Sequence, residues 1–120
     1  MYGVPADLDL TPFVGAAVER VDLGKYNIDF RFDTSESHTI SVQGAWELRD
    51  PRATIVDRDI DPSARESYQL HMLLGREVVG TEVTAPESFA LRFDSGHVLR
   101  VFDRSPEYES FSIQPGDVFV

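Results

Sequence analysis

Apolar and polar residues alternate with a period of two along several stretches of the chain. Ile28, Phe30 and Phe32 interleave with Asp29, Arg31 and Asp33, while Phe89, Leu91 and Phe93 interleave with Ala90, Arg92 and Asp94. Successive side chains of a strand point to opposite faces, so each stretch predicts a strand with one apolar and one outward face. Turn-forming residues follow, "DTSES" at 33–37 and "DSG" at 94–96. A second alternating run then begins, His38, Ile40 and Val42 in one case, His97, Leu99 and Val101 in the other. Both stretches read as β-hairpins. Further strands are predicted at Val18–Leu23, Glu77–Val83, Ala45–Arg49 and Tyr108–Ile113, with a short one at Thr54–Val56 and pairing of "DVFV" at the C-terminus.

The hairpins belong to a longer correspondence. Val14-Gly15 is echoed by Leu74-Gly75, and Val18, Asp22 and Leu23 by Val78, Glu82 and Val83. Small length differences fall at turns, where insertions are tolerated. The reading is an internal pseudo-repeat, 14–50 and 74–114, within a single domain of residues 1–120. A lone hairpin cannot bury its apolar face, so the two copies are expected to pack on each other.

Helix signals are few. Thr11 and Pro12 form an N-cap and first-turn pair, but Gly15 stops that helix early. A longer helix is predicted from Asp61 as N-cap, through Pro62, to Leu74, with Gly75 as terminator and Ala64, Tyr68 and Met72, adjoined by Leu73, on one face. It follows "RDPRATIVDRDIDPS", which joins the copies. The expected fold is mainly β, bordering on α+β: an antiparallel sheet from two pseudo-repeated hairpin units with one connecting helix, closed as a sandwich or roll. The predicted core is Val18, Val21, Ile28, Phe30, Phe32, Ile40, Val42, Trp46, Val78, Phe89, Leu91, Phe93, Leu99, Val101 and Phe111.

Charge changes the picture most. Twenty-one acidic residues against eleven basic ones give a net charge of −10. Such a surface repels phosphate backbones and anionic lipid, so neither nucleic acid nor membrane is an expected partner. It speeds encounter with a basic protein. Without cysteine there is no disulfide and no thiolate chemistry. No apolar run approaches a membrane span, and "MYGVPADLDLTPF" lacks the form of a secretory signal, so cytoplasmic residence is expected.

Candidate chemistry is sparse. His38 and His97 stand at equivalent places after their turns, near Asp33 and Asp94. They are the weak candidates for a metal or general-base pair; the structural alternative has each histidine partly exposed at the start of a strand and bonded to turn carboxylates. "DRDID", with Asp57, Asp59 and Asp61, matches the opening of a calcium loop, but Pro62 and Tyr68 occupy the places of the required Gly and Glu. His71 lies in the predicted helix, facing solvent. Nucleophile-elbow, phosphate-loop, zinc-protease and dinucleotide motifs are missing, and Lys25, the single lysine, lies in a turn. The chain reads as no enzyme and carries no cofactor or metal assignment. "SPEYESFSI" sets Tyr108 and Phe111 among Glu107 and Glu109, a mixture suited to a basic partner, or else the inward face of a strand.

"MYGVP", "VG" before the first strand, "WELRD" at 46–50, "LLG" at 73–75, "LRFDSG" at 91–96 and "YESF" at 108–111 resemble a family of small bacterial proteins known only as a domain of unknown function. That resemblance implies no activity and transfers no site residue. It implies that "WELRD" and "YESF" end the two copies. In physical profile alone, small, acidic and cysteine-free, the chain is similar to immunity proteins that bind and block a toxin. The leading expectation is therefore a protein-binding module of immunity type, neutralising a basic toxin, possibly a nuclease, by occlusion. Its contacts would be Glu107, Tyr108 and Glu109, with Asp57, Asp59 and Asp61 as an acidic rim. A homodimerising scaffold or regulatory domain using an open sheet edge is the alternative, and a small-ligand or metal site between the repeats the third.

Overall fold

The computed structural model describes residues 3–60, 62–65, 67–103, 110–115 and 118–119, with Pro62, Val118 and Phe119 described by backbone alone. Its strands are β1 (Val18–Leu23), β2 (Ile28–Phe32), β3 (Thr39–Val42), β4 (Trp46–Arg49), β5 (Ile55–Arg58), β6 (Val78–Thr84), β7 (Ser88–Phe93), β8 (Val98–Phe102), β9 (Phe111–Gln114) and β10 (Val118–Phe119). They form two five-stranded antiparallel sheets, ordered β1-β2-β3-β9-β10 and β5-β4-β8-β7-β6. Neither closes into a barrel. Each sheet takes three consecutive strands from one half of the chain and two from the other: β9 pairs with β3, and β4 pairs with β8.

The alternation seen in the sequence accounts for the packing. Phe30, Phe32 and Ile40 on the first sheet, and Leu48, Phe89, Leu91, Phe93 and Leu99 on the second, are all at most 1% exposed. The edge-to-face contact of Phe89 with Phe111, 4.8 Å between centroids, joins strands of opposite sheets. One apolar cluster fills the space between them. Every residue of the predicted core lies in it except Val21, which sits on the edge strand β1 and is only partly buried against the cluster. Val4, Leu10, Phe13, Leu48, Leu70, Leu73 and Ile113 also belong to the core.

Before β1 and β6 the two halves of the chain cross and bond each other. The Gly15 N–H donates to the Val78 carbonyl and the Gly75 N–H to that of Val18, both at 2.8 Å. Val18 N–H donates to Arg76 and Val78 N–H to Ala16. Gly15 and Gly75 have φ of 86° and 79°, a left-handed geometry that a β-carbon disfavours. Each crossing segment is a short 3-10 turn, Thr11–Phe13 and Leu70–Leu73. Thr11 begins its turn rather than capping it; Asp9 accepts both its backbone N–H and its hydroxyl. Those bonds hold the Asp9 carboxyl below its ordinary range.

The predicted helix over 61–74 is a correction. Among the described residues this segment makes only two 3-10 turns, Pro62–Ala64 and Leu70–Leu73. Asp57 on β5 accepts the Arg65 guanidinium at 2.9 Å and the Gln69 N–H at 2.7 Å. Arg65 also donates to the carbonyls of Arg58 and Ser67. These bonds tie the segment to β5 as a strap, and the Gln69 N–H goes to a side chain instead of a helix carbonyl. Leu70 and Leu73 are buried while Met72, on the predicted helix face, is 40% exposed. "DVFV" contributes β10 as expected.

Because Phe32 and Phe93 are fully enclosed, Phe32→Ala or Phe93→Ala should each cost about 3–5 kcal/mol of unfolding free energy, while Val21→Ala should cost ~1 kcal/mol or less. Urea denaturation followed by far-UV circular dichroism measures the ranking, and equal losses at positions 21 and 93 would contradict this core.

Candidate functional site

Two of the acids singled out in the sequence, Asp57 and Asp59, differ in their surroundings. Asp57 is buried, and its carboxylate also receives the Arg58 N–H at 2.8 Å. Its side chain and that of Arg65 are each 6% exposed, and the Arg65 guanidinium lies 3.9 Å from the Tyr68 ring centroid and 5.9 Å from that of Trp46. Asp57 is therefore a fixed internal anchor. Asp59 is exposed, its backbone N–H bonded to the Trp46 carbonyl. Asp61, Glu107, Tyr108 and Glu109 lie outside the described residues. Phe111 is fully buried on β9.

Each histidine is engaged by its own turn. Nδ1 of His38 lies 2.7 Å from the Thr34 hydroxyl, and its ring packs edge-on against Phe13 at 5.5 Å. Nδ1 of His97 lies 2.9 Å from the Ser95 hydroxyl. Hydroxyls, not the carboxylates of Asp33 and Asp94, thus hold the imidazoles; Asp33 instead accepts the Ala17 N–H. His38 precedes a strand of the first sheet and His97 one of the second. Among the described residues no group of three or more His, Asp or Glu side chains is placed to hold a metal ion. His71 is exposed on its 3-10 turn.

The feature that sequence reasoning passed over is the outer face of the second sheet. Register fixes which side chains share it. One row across the sheet runs Gly80, Arg92, Val98, Arg49, Ile55, and the next runs Glu82, Ala90, Arg100, Glu47, Arg58. Glycine, alanine and valine at the centre leave a hollow of about 280 Å³, walled by Arg49, Arg92 and Arg100 and by Pro51 and Ala53 of the β4–β5 turn. The signal was available: Arg49, Arg92 and Arg100 all occupy outward positions of predicted strands. Only knowledge of which strands are neighbours brings the three together.

Two of these arginines already have partners. Arg49 donates to Glu47 and, at 2.7 Å, to the Ala53 carbonyl. Arg100 bonds Glu82 at 3.1 Å and the Ser88 hydroxyl at 3.0 Å. Arg100 first, and then the Thr84 hydroxyl, hold the Glu82 carboxyl below its ordinary range, so this pair persists to lower pH than a free glutamate would allow. Arg92 has no ion pair and no hydrogen bond from its guanidinium among the described residues. It lies across Gly80, where an added β-carbon would stand 2.3 Å from Nη2.

Asp57 and Arg65 are almost fully enclosed, so removing one partner strands the other. Asp57→Ala should therefore cost about 3–5 kcal/mol, whereas the joint Asp57→Ala, Arg65→Met variant should recover part of that loss. Denaturation followed by the fluorescence of Trp46 reads both values, and additive losses would show that the two side chains do not act as a pair.

The described residues contain no helix long and apolar enough to cross a membrane. No curated protein and no solved structure matches the chain. A family model does match, over residues 9–118, and the chain belongs to that family of unknown function, DUF6188.

Proposed function

We propose that this protein is a protein-binding module of immunity type, a single acidic domain that captures a basic toxin and neutralises it by occlusion. The observation that supports this reading is how the positive charge is used. Arg20 pairs with Asp22, Arg31 with Glu19, Arg49 with Glu47, Arg65 with Asp57 and Arg100 with Glu82. Internal pairing thus neutralises much of the cationic charge, and the surplus acid of a chain at −10 is left to face solvent. A field of that sign raises the association rate of a basic protein and weakens as salt screens it. In this proposal Glu107, Tyr108 and Glu109 make the contact, with Asp59 and Asp61 as an acidic rim, while Asp57 anchors the segment after β5 from inside.

The duplication read from the sequence is part of the proposal. Residues 14–50 and 74–114 are two copies of one unit that have exchanged their last strands. Matching hydrogen bonds support it: Phe32 N–H to the His38 carbonyl beside Phe93 N–H to that of His97, and Asp33 N–H to Ala17 beside Asp94 N–H to Glu77.

Homodimerisation is the second reading, and one observation favours it. Val14, Leu74 and Val79, at or beside the crossing, are 51%, 47% and 48% exposed. Apolar side chains gathered there offer a contact surface. Mass that rises with protein concentration in the absence of any partner would select this reading over the first.

The first reading is tested with a secreted basic toxin encoded beside this gene. Co-expression should restore growth and the purified pair should bind more weakly as salt rises. Replacing Tyr108 by Ala together with Glu107→Gln and Glu109→Gln should weaken binding about ten- to a hundredfold. Undiminished toxicity in the presence of the folded protein would refute it.

A further inference from the structure

We infer that the hollow on the outer face of the second sheet is a binding site for a monocarboxylate with a compact apolar body, held by the guanidinium of Arg92. The inference does not depend on the proposed toxin contacts.

Charge selects the ligand's sign and valence. The lining holds Arg49, Arg92 and Arg100 against Asp50 and Glu82. Arg49 is paired with Glu47 and Arg100 with Glu82, so Arg92 is the guanidinium of the lining without an ion pair, and one carboxylate matches its single charge. Both acids are occupied. Asp50 accepts the backbone N–H groups of Arg52 and Thr54 in the β4–β5 turn, and Glu82 bonds Arg100. The open donor is Arg92, whose planar fork matches a carboxylate with two parallel hydrogen bonds.

Shape selects the body. The floor between the arginines is Ala90 and Val98, and Pro51 and Ala53 form one wall. These groups offer no hydrogen bond to a second polar end but accept a few methyl groups. The hollow of about 280 Å³ admits a small branched acid or the last residues of a peptide, with the carboxylate towards Arg92 and the apolar part over Val98. Gly80 is the enabling residue. Its missing side chain lets the Arg92 guanidinium lie against β6, and a β-carbon there would push the flexible end of that arginine away while leaving the backbone unhindered.

The test is an amide-resolved NMR titration of the full chain with sodium isobutyrate, against isobutyramide, sodium phosphate and sodium chloride at matched ionic strength. Isobutyrate should give saturable shifts centred on Gly80, Arg92 and Val98, and the amide and chloride should not. Arg92→Gln should weaken binding about ten- to a hundredfold, as expected for loss of a charged hydrogen-bonding partner. Gly80→Ala should weaken it while leaving the melting temperature near that of the parent, which separates loss of the site from loss of the fold. Arg58→Gln, on the same face but outside the hollow, should bind as the parent does. Acetyl-Ala-Val with a free or an amidated C-terminus distinguishes the sources: binding of only the free form identifies a peptide terminus as an acceptable ligand, and binding of isobutyrate alone a small free acid. No saturable shift with either acid, equal affinity in Arg92→Gln, or tighter binding of phosphate than of isobutyrate would overturn the assignment.

Discussion

The structure depends on an exchange. Each sheet is finished by two strands from the other half of the chain, and the two halves are pinned where Gly15 and Gly75 donate hydrogen bonds across to Val78 and Val18. A three-stranded ribbon such as β1-β2-β3 carries an apolar face that it cannot cover alone. Here β9 extends that ribbon, while β4 leaves it to extend the opposite one. The core is consequently shared: Phe89 and Phe111, both from the second half of the sequence, meet from opposite sheets. The glycines make the crossing feasible because their backbone takes a positive φ with nothing within 4 Å of where a side chain would begin.

That exchange sets demands on polar groups at the places where the chain changes sheets. Asp103 shows one answer. It follows β8 and is 7% exposed, with its carboxylate receiving the Ser110 hydroxyl at 2.9 Å and the Gly3 N–H. Its own N–H goes to the Glu87 carbonyl. The start of the described chain, the β6–β7 turn and the entry to β9 therefore meet at one residue, the first and last through its carboxylate and the turn through its backbone N–H. Asp57 performs the corresponding task for the strap after β5, through Arg65 and Gln69. A buried carboxylate must be matched by donors or it destabilises the fold, and both have them.

These two aspartates mark the boundary of what the sequence made legible. Period-two alternation located β1, β2, β3, β7 and β8 closely and named most of the core, because burying one face of a strand imposes a pattern that any register must respect. The strap defeated the same reading. Pro62, Gly75 and apolar residues at helical spacing describe a helix equally well, and the interaction that prevents it joins Asp57 to residues 8 and 12 positions away. Local propensity carries no record of such a bond. Asp57 read as a surface acid for the same reason, since nothing near it in the chain announces the guanidinium that encloses it. The hollow on the second sheet was hidden by distance: Arg49 and Arg92 are neighbours only through the exchange that sets β4 beside β8.

The two outer faces show why that hollow stands apart. The strands of the two sheets pair in the same register, bulges included: Arg20 opposes Arg31 as Gly80 opposes Arg92, and Asp22 opposes Asp29 as Glu82 opposes Ala90. On the first sheet the like charges facing each other are offset within their own strand or by a near neighbour, Arg20 by Asp22 at 2.7 Å and Arg31 by Glu19 at 3.8 Å. There the charges of Arg20 and Arg31 are answered from within the face. On the second sheet the place of Glu19 is taken by Val79 and that of Arg20 by Gly80, so Arg92 loses its acid while the floor beside it loses its bulk. The same two replacements that free the charge also open the space. A purely structural role explains either change alone, because a strand tolerates a valine and a bulge tolerates a glycine. Their coincidence around one arginine is what gives that face its distinct chemistry.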